Sequence, residues 1–169
     1  MRVLGIDPGY AIVGYGVVDY IGNKFSTVEY DAVTTQAHTD FGLRLEHIYD
    51  SVTDIITRLK PEALSIEKLY FNTNSTTAIA VAEARGCILL AAQKAGLPIF
   101  EYTPLQIKQS VTGYGRAEKR QMIEMTRMLL GLEKAPKPDD VADALAAAIC
   151  HAHSAGSLIS AVNRGGYFR

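Results

Sequence analysis

With 169 residues, 48% of them hydrophobic and 21% charged, the chain has the make-up of one soluble globular domain large enough to bury a core. Its apolar stretches, such as 141–150, are too short and too interrupted to span a bilayer, and Asp7-Pro8-Gly9 breaks the first apolar run before a leader-peptide pattern can form. The net charge of −1 argues against a uniformly basic nucleic-acid binder, and the two cysteines, Cys87 and Cys150, exclude a disulfide framework and suit buried thiols in the reducing cytoplasm.

Taken in chain order, residues 3–7 read as a strand stopped by Pro8-Gly9. Residues 12–19 read as a second strand, carrying Gly14 and Gly16. A Gly22-Asn23 turn leads into a third strand at 24–33. Phe41, Leu45, Ile48, Val52, Ile55, Ile56 and Leu59 then fall at helical spacing over about 40–60, and Pro61 ends that helix. Residues 63–67 form a fourth strand, and 75–94 an Ala-rich helix with Gly96 as its C-cap. Residues 98–102 form a fifth strand. Thr103-Pro104-Leu105-Gln106 starts a short helix with capping-box spacing and proline at the first helical position. Gly113-Tyr114-Gly115 interrupts it. Further helices cover about 117–130 and 139–153. The expected fold is α/β: a mixed five-stranded sheet with helices on both faces, in one domain over 1–153. Residues 154–169 lack periodicity and are expected to form a flexible tail.

Four acids occupy telling places in this order. Asp7 and Glu67 each end a short apolar strand, where a carboxylate is costly unless its charge is compensated. Asp140 and Asp143 lie three residues apart at the start of an apolar helix, on one face of it. Parallel crossover strands bring the ends of the first and fourth strands side by side, at the sheet edge where α/β folds place their sites. Singly, each acid has an ordinary explanation. Asp7 suits a turn, Glu67 a pair with Lys68 or Arg85, and Asp139 or Asp140 a helix cap. Together they suit Mg²⁺, which takes oxygen ligands. Two such ions about 4 Å apart activate a water and stabilise a leaving oxygen in phosphodiester cleavage.

Basic charge is concentrated between 105 and 138, where Lys108, Arg116, Lys119, Arg120, Arg127, Lys134 and Lys137 face only Glu118, Glu124 and Glu133. That segment is either a phosphate-binding face or a solvated helix surface. The Gly113–Arg116 break, flanked by Lys108 and Lys119, suits phosphate contact. Tyr70 and Phe71, close after Glu67, suit either base stacking or the sheet-edge core. Met122, Met125 and Met128, with Leu129, form a stripe expected to pack inward. His151 and His153 complete no zinc pattern.

The segments Gly5-Ile6-Asp7-Pro8-Gly9, Ser65-Ile66-Glu67-Lys68-Leu69-Tyr70, the block from Thr103 through Gly113, and Asp140-Val141-Ala142-Asp143-Ala144-Leu145-Ala146 resemble the bacterial RuvC Holliday junction endonucleases, in order and over nearly all of 1–153. The resemblance implies a ribonuclease H-like fold, a homodimer and Mg²⁺-dependent paired symmetric nicking of four-way DNA junctions during recombination and repair. It implies two ions per site, with Mn²⁺ able to substitute, and 5′-phosphate and 3′-hydroxyl products. The family's catalytic, metal-holding acids fall on Asp7, Glu67, Asp140 and Asp143, which leaves Asp139 as the cap. Its DNA-contacting lysines fall on Lys108 and Lys119, and the resemblance tips Tyr70 toward DNA; Arg116, beside the glycine break, is a weaker DNA-binding candidate. The branch-migration helicase complex (RuvA–RuvB) is the implied partner.

Two other readings compete. Asp7-Pro8-Gly9 followed by Gly14 and Gly16 resembles the first phosphate loop of actin-like ATPases, which need a second domain. A junction-binding protein without catalysis would gain nothing from four acids near a phosphate backbone.

Overall fold

The computed structural model describes residues 1–69 and 75–155. Its elements are β1 (Arg2–Asp7), β2 (Ile12–Ile21), β3 (Lys24–Thr34), α1 (Phe41–Leu59), β4 (Ala63–Glu67), α2 (Ser75–Lys94), β5 (Ile99–Tyr102), α3 (Pro104–Thr112), α4 (Lys119–Leu129) and α5 (Asp139–Ser154). The strands form one sheet in the order β3-β2-β1-β4-β5. β1 pairs antiparallel with β2 and parallel with β4, and β4 pairs parallel with β5. The hairpin between β2 and β3 turns through Gly22 and Asn23, both at positive φ (56° and 62°). That is the conformation a two-residue primed turn demands.

Strand alternation sorts the core onto two faces. Leu4, Ile6, Val13, Tyr15, Val17, Leu64 and Ile66 pack against α1 and α2. Val3, Val18, Ala63, Phe100 and Tyr102 pack with α3, α4 and α5 on the other side. The period of two therefore puts Val3, Gly5 and Asp7 on the α5 face of β1, and Ala63, Ser65 and Glu67 on the same face of β4. Ser65 is fully buried and donates from its hydroxyl to the Ala147 carbonyl at 2.6 Å, tying β4 to α5. The expected mixed sheet with helices on both faces is what forms.

Several local expectations differ. Asp139 is not a cap: Pro138 occupies the N-cap of α5 without a side-chain bond, and Asp139 sits in the first turn. Asp139 still favours the helix there through the macrodipole. The methionine stripe divides, with Met122 buried, Met125 partly buried against the core and Met128 exposed, because the helix rotates the third of them past the packing face. Helix α4 begins at Lys119 and not at 117, because Ala117 is buried in the core and Glu118 takes the N-cap. Ser154 still belongs to α5. Tyr70, Phe71 and the tail from 156 onward lie outside the described residues.

Candidate active site

Three elements bring the four acids together. Asp7 is the last residue of β1 and Glu67 the last of β4. These strands are adjacent and parallel, with Ile6 beside Ile66 in register, so both carboxylates leave the same sheet edge on the α5 face. Helix α5 begins above that edge and adds Asp140 and Asp143. The Asp7 carboxyl is pushed up to about 7, first by burial and then by the charges of Asp143, Glu67 and Asp140, against a smaller opposing effect of Lys119. Glu67 is also raised, by burial first and then by Asp143, while Lys119 and Lys108 pull it back. All four acids thus share one electrostatic neighbourhood, and two lysines face it.

Those lysines border a cleft of about 200 Å³ lined by Glu67, Pro104, Ile107, Lys108, Lys119, Met122 and Asp143. Lys119 opens α4 and its ammonium is paired with the Asp143 carboxylate. Burial pulls the Lys119 pKa down, but the Asp143 bond and the charges of Asp143, Asp139 and Asp7 outweigh it and raise the pKa overall. Lys108 comes from α3, whose start is held by the expected capping box: Gln106 N–H donates to Thr103 Oγ1 at 3.2 Å and Thr103 N–H to Gln106 Oε1 at 2.8 Å. Arg116 is exposed on the loop between α3 and α4, outside this lining. Arg85 does not wait at the site; it is buried against β5, paired with Glu101. His151 is also structural, its Nδ1 2.8 Å from the Tyr102 hydroxyl, and burial lowers its pKa to about 4.

The donor set fits a divalent cation. Its oxygens are hard ligands, and positive charge among them would offset the burial and the repulsion that lift Asp7 and Glu67. Among the described residues no three His, Cys, Asp or Glu side chains are gathered tightly enough to ligate an ion as they stand. Asp143 is paired with the Lys119 ammonium.

Sequence reasoning missed the glycines that let α5 approach. Gly5, Gly14 and Gly16 lie on the α5 face of β1 and β2, with Gly5 opposite Gly16 and Asp7 opposite Gly14. A Cβ on Gly5 would overlap the Ala144 carbonyl and stand 2.8 Å from the Ala148 nitrogen. Isolated glycines inside strands are the available signal for such close approach.

The family model for the crossover junction endodeoxyribonuclease RuvC matches residues 3–151. A crossover junction endodeoxyribonuclease RuvC from Caldanaerobacter subterraneus subsp. tengcongensis is 56% identical over 158 residues, covering 94% of this chain and 96% of the relative. The Thermus thermophilus RuvC structure superimposes with a TM-score of 0.86 at 38% identity, covering 92% of this chain and 95% of that one. A structure of T. thermophilus RuvC in complex with Holliday junction substrate gives 0.87 at 35% identity, covering 95% and 98%. Placed beside the four carboxylates and the two lysines, these matches make the chain a member of the RuvC family of crossover junction endodeoxyribonucleases.

Proposed function

We propose that this protein resolves four-way DNA junctions by paired symmetric nicks, using Mg²⁺, with Mn²⁺ able to substitute, held by Asp7, Glu67, Asp140 and Asp143. The observation that carries this reading is the convergence of the four acids at one sheet edge, with Lys108 and Lys119 on the cleft beside them. A junction-bound T. thermophilus relative of the same fold supports the substrate. Divalent ions at the acids would supply an activated water and neutralise the leaving 3′-oxygen. The chain's own residues do the rest. Asp7, which feels the charge of all three other acids, stands at the centre of the cluster. Lys119 leaves Asp143 to meet the scissile phosphate, and Lys108 steadies the strand along the cleft.

Paired nicks need two sites, and the reading includes a homodimer. Helix α2 supports it: Ile79 and Leu90 are 70% and 53% exposed on one side of the helix, and Gly86 between them has open space where a side chain would project. An exposed glycine inside a helix costs about 1 kcal/mol, and close packing against a second copy offsets that. Tyr70 as a stacking residue, Arg116 as a weaker phosphate contact and the RuvA–RuvB helicase as a partner follow from the same reading. Free Cys87 and Cys150 agree with a cytoplasmic setting.

The test is a synthetic four-way junction incubated with Mg²⁺ and either the wild type or Asp7→Asn. Symmetric nicks by the wild type, with at least a hundredfold loss in the variant, are expected. Equal nicking by the two proteins, or nicking in chelator, would overturn the assignment.

A further inference from the structure

We infer that Gly14 is a positioning residue for the acid cluster: its missing side chain sets the depth at which the first turn of α5 lies on the sheet, and hence where Asp140 and Asp143 stand relative to Asp7. The inference rests on the reading of those acids as metal ligands.

Gly14 is the cross-strand partner of Asp7, at the end of the β1–β2 ladder nearest the site. A Cβ built there overlaps the carbonyl carbon and oxygen of Asp140 and stands 2.8 Å from the Val141 nitrogen. The obstacle is backbone, so no rotamer change clears it. Only a shift of the first turn of α5 does, and that turn carries Asp140 itself, with Asp143 one turn behind. Gly16 makes a contrasting contact two residues along the same face. Its Cβ would meet Leu145, overlapping Cδ2 and standing 2.7 Å from Cγ, but it stays 3.5 Å from the Leu145 Cα. A side chain there disturbs core packing and leaves the helix backbone in place. Of the two β2 glycines only Gly14 meets the backbone of α5, although both lie beneath the same helix.

Metal sites tolerate little displacement, since ligand distances must hold to within about 0.2 Å. Gly14→Ala should keep its fold by circular dichroism and bind a four-way junction without metal as the wild type does, because Lys108 and Lys119 are carried by α3 and α4 and keep their charges. Because Asp140 and Asp143 are displaced, it should bind Mn²⁺ at least tenfold more weakly by titration calorimetry. Gly16→Ala should lose thermal stability yet bind Mn²⁺ within about twofold of the wild type. Wild-type Mn²⁺ affinity in folded Gly14→Ala would overturn the inference. So would outright unfolding of that variant, or an equal loss of affinity in Gly16→Ala, since either would make the role one of general packing. Asp7→Asn in the same titration separates the two claims: if it binds Mn²⁺ as the wild type does, the ligand reading itself fails, whatever Gly14→Ala does.

Discussion

Burial and three neighbouring carboxylates push the Asp7 carboxyl up to about 7 from an ordinary 3.8. The folded state therefore holds this proton more tightly than the unfolded chain does. Its contribution favours folding at low pH and is lost as pH rises from about 4 through about 7. Glu67 is raised as well and acts in the same sense. A displacement of this size corresponds to about 4 kcal/mol at full effect, and solvent reaching the cleft reduces it. In chelator, Asp7→Asn should accordingly be more stable than the wild type by roughly 1–3 kcal/mol at pH 8. The gain should fade toward pH 4. Urea denaturation at the two pH values measures this, and a variant less stable than the wild type at pH 8 would contradict it. Excess Mg²⁺ should close the gap by stabilising the wild type alone. A residue that destabilises its own fold in this way is expected where function, and not stability, sets the residue type.

Where helix α2 packs on the sheet, Arg85 is ion-paired with Glu101 of β5, residues only 3% and 9% exposed. Removing one partner of a buried pair leaves the other charge in a poorly solvated place, at a cost of about 3–5 kcal/mol. Glu101→Ala should show that loss in chemical denaturation, whereas the double change Arg85→Met with Glu101→Leu should come within about 1 kcal/mol of the wild type. A double variant as damaged as the single one would mean that the pair's geometry, and not its uncompensated charge, is what matters. At this scale most of the molecule was legible. The strand ending at Glu67 and the helix over 75–94 follow directly from apolar runs bounded by prolines and glycines. The capping box at Thr103 was visible as a spacing. Asp139 as a cap was not correct, because Pro138 enters the N-cap with extended backbone. Arg85 was a candidate partner for Glu67. Its pairing with Glu101 depends on which way α2 turns over the sheet, and residue spacing does not encode that.

In the whole molecule, the order β3-β2-β1-β4-β5 puts the two acid-bearing strands side by side at the centre of the sheet. It leaves α2 on the opposite face from α5, so the apolar side of α2 can meet a second copy without blocking the acids. Ile79→Asp should then shift the protein toward monomer in sedimentation while each monomer keeps its fold. Paired nicking of a junction should fall at least tenfold, because the two cuts no longer share one complex. A variant that stays dimeric would place the interface elsewhere.

The residue types by themselves pointed to the candidate site residues. Four carboxylates at strand ends and a helix start, with basic charge gathered in the segment that follows β5, were readable from apolar periodicity and turn signals, because those are local properties of the chain. What only the tertiary structure decided was how closely the pieces meet. Gly5, Gly14 and Gly16 were visible as glycines in strands, but their purpose depends on a helix that begins more than a hundred residues later in the chain and packs with its backbone against theirs. The pairing of Lys119 with Asp143 is decided in the same way. Both depend on distances between elements remote in sequence, set by how α5 and α4 pack over the sheet, and no local pattern records that depth.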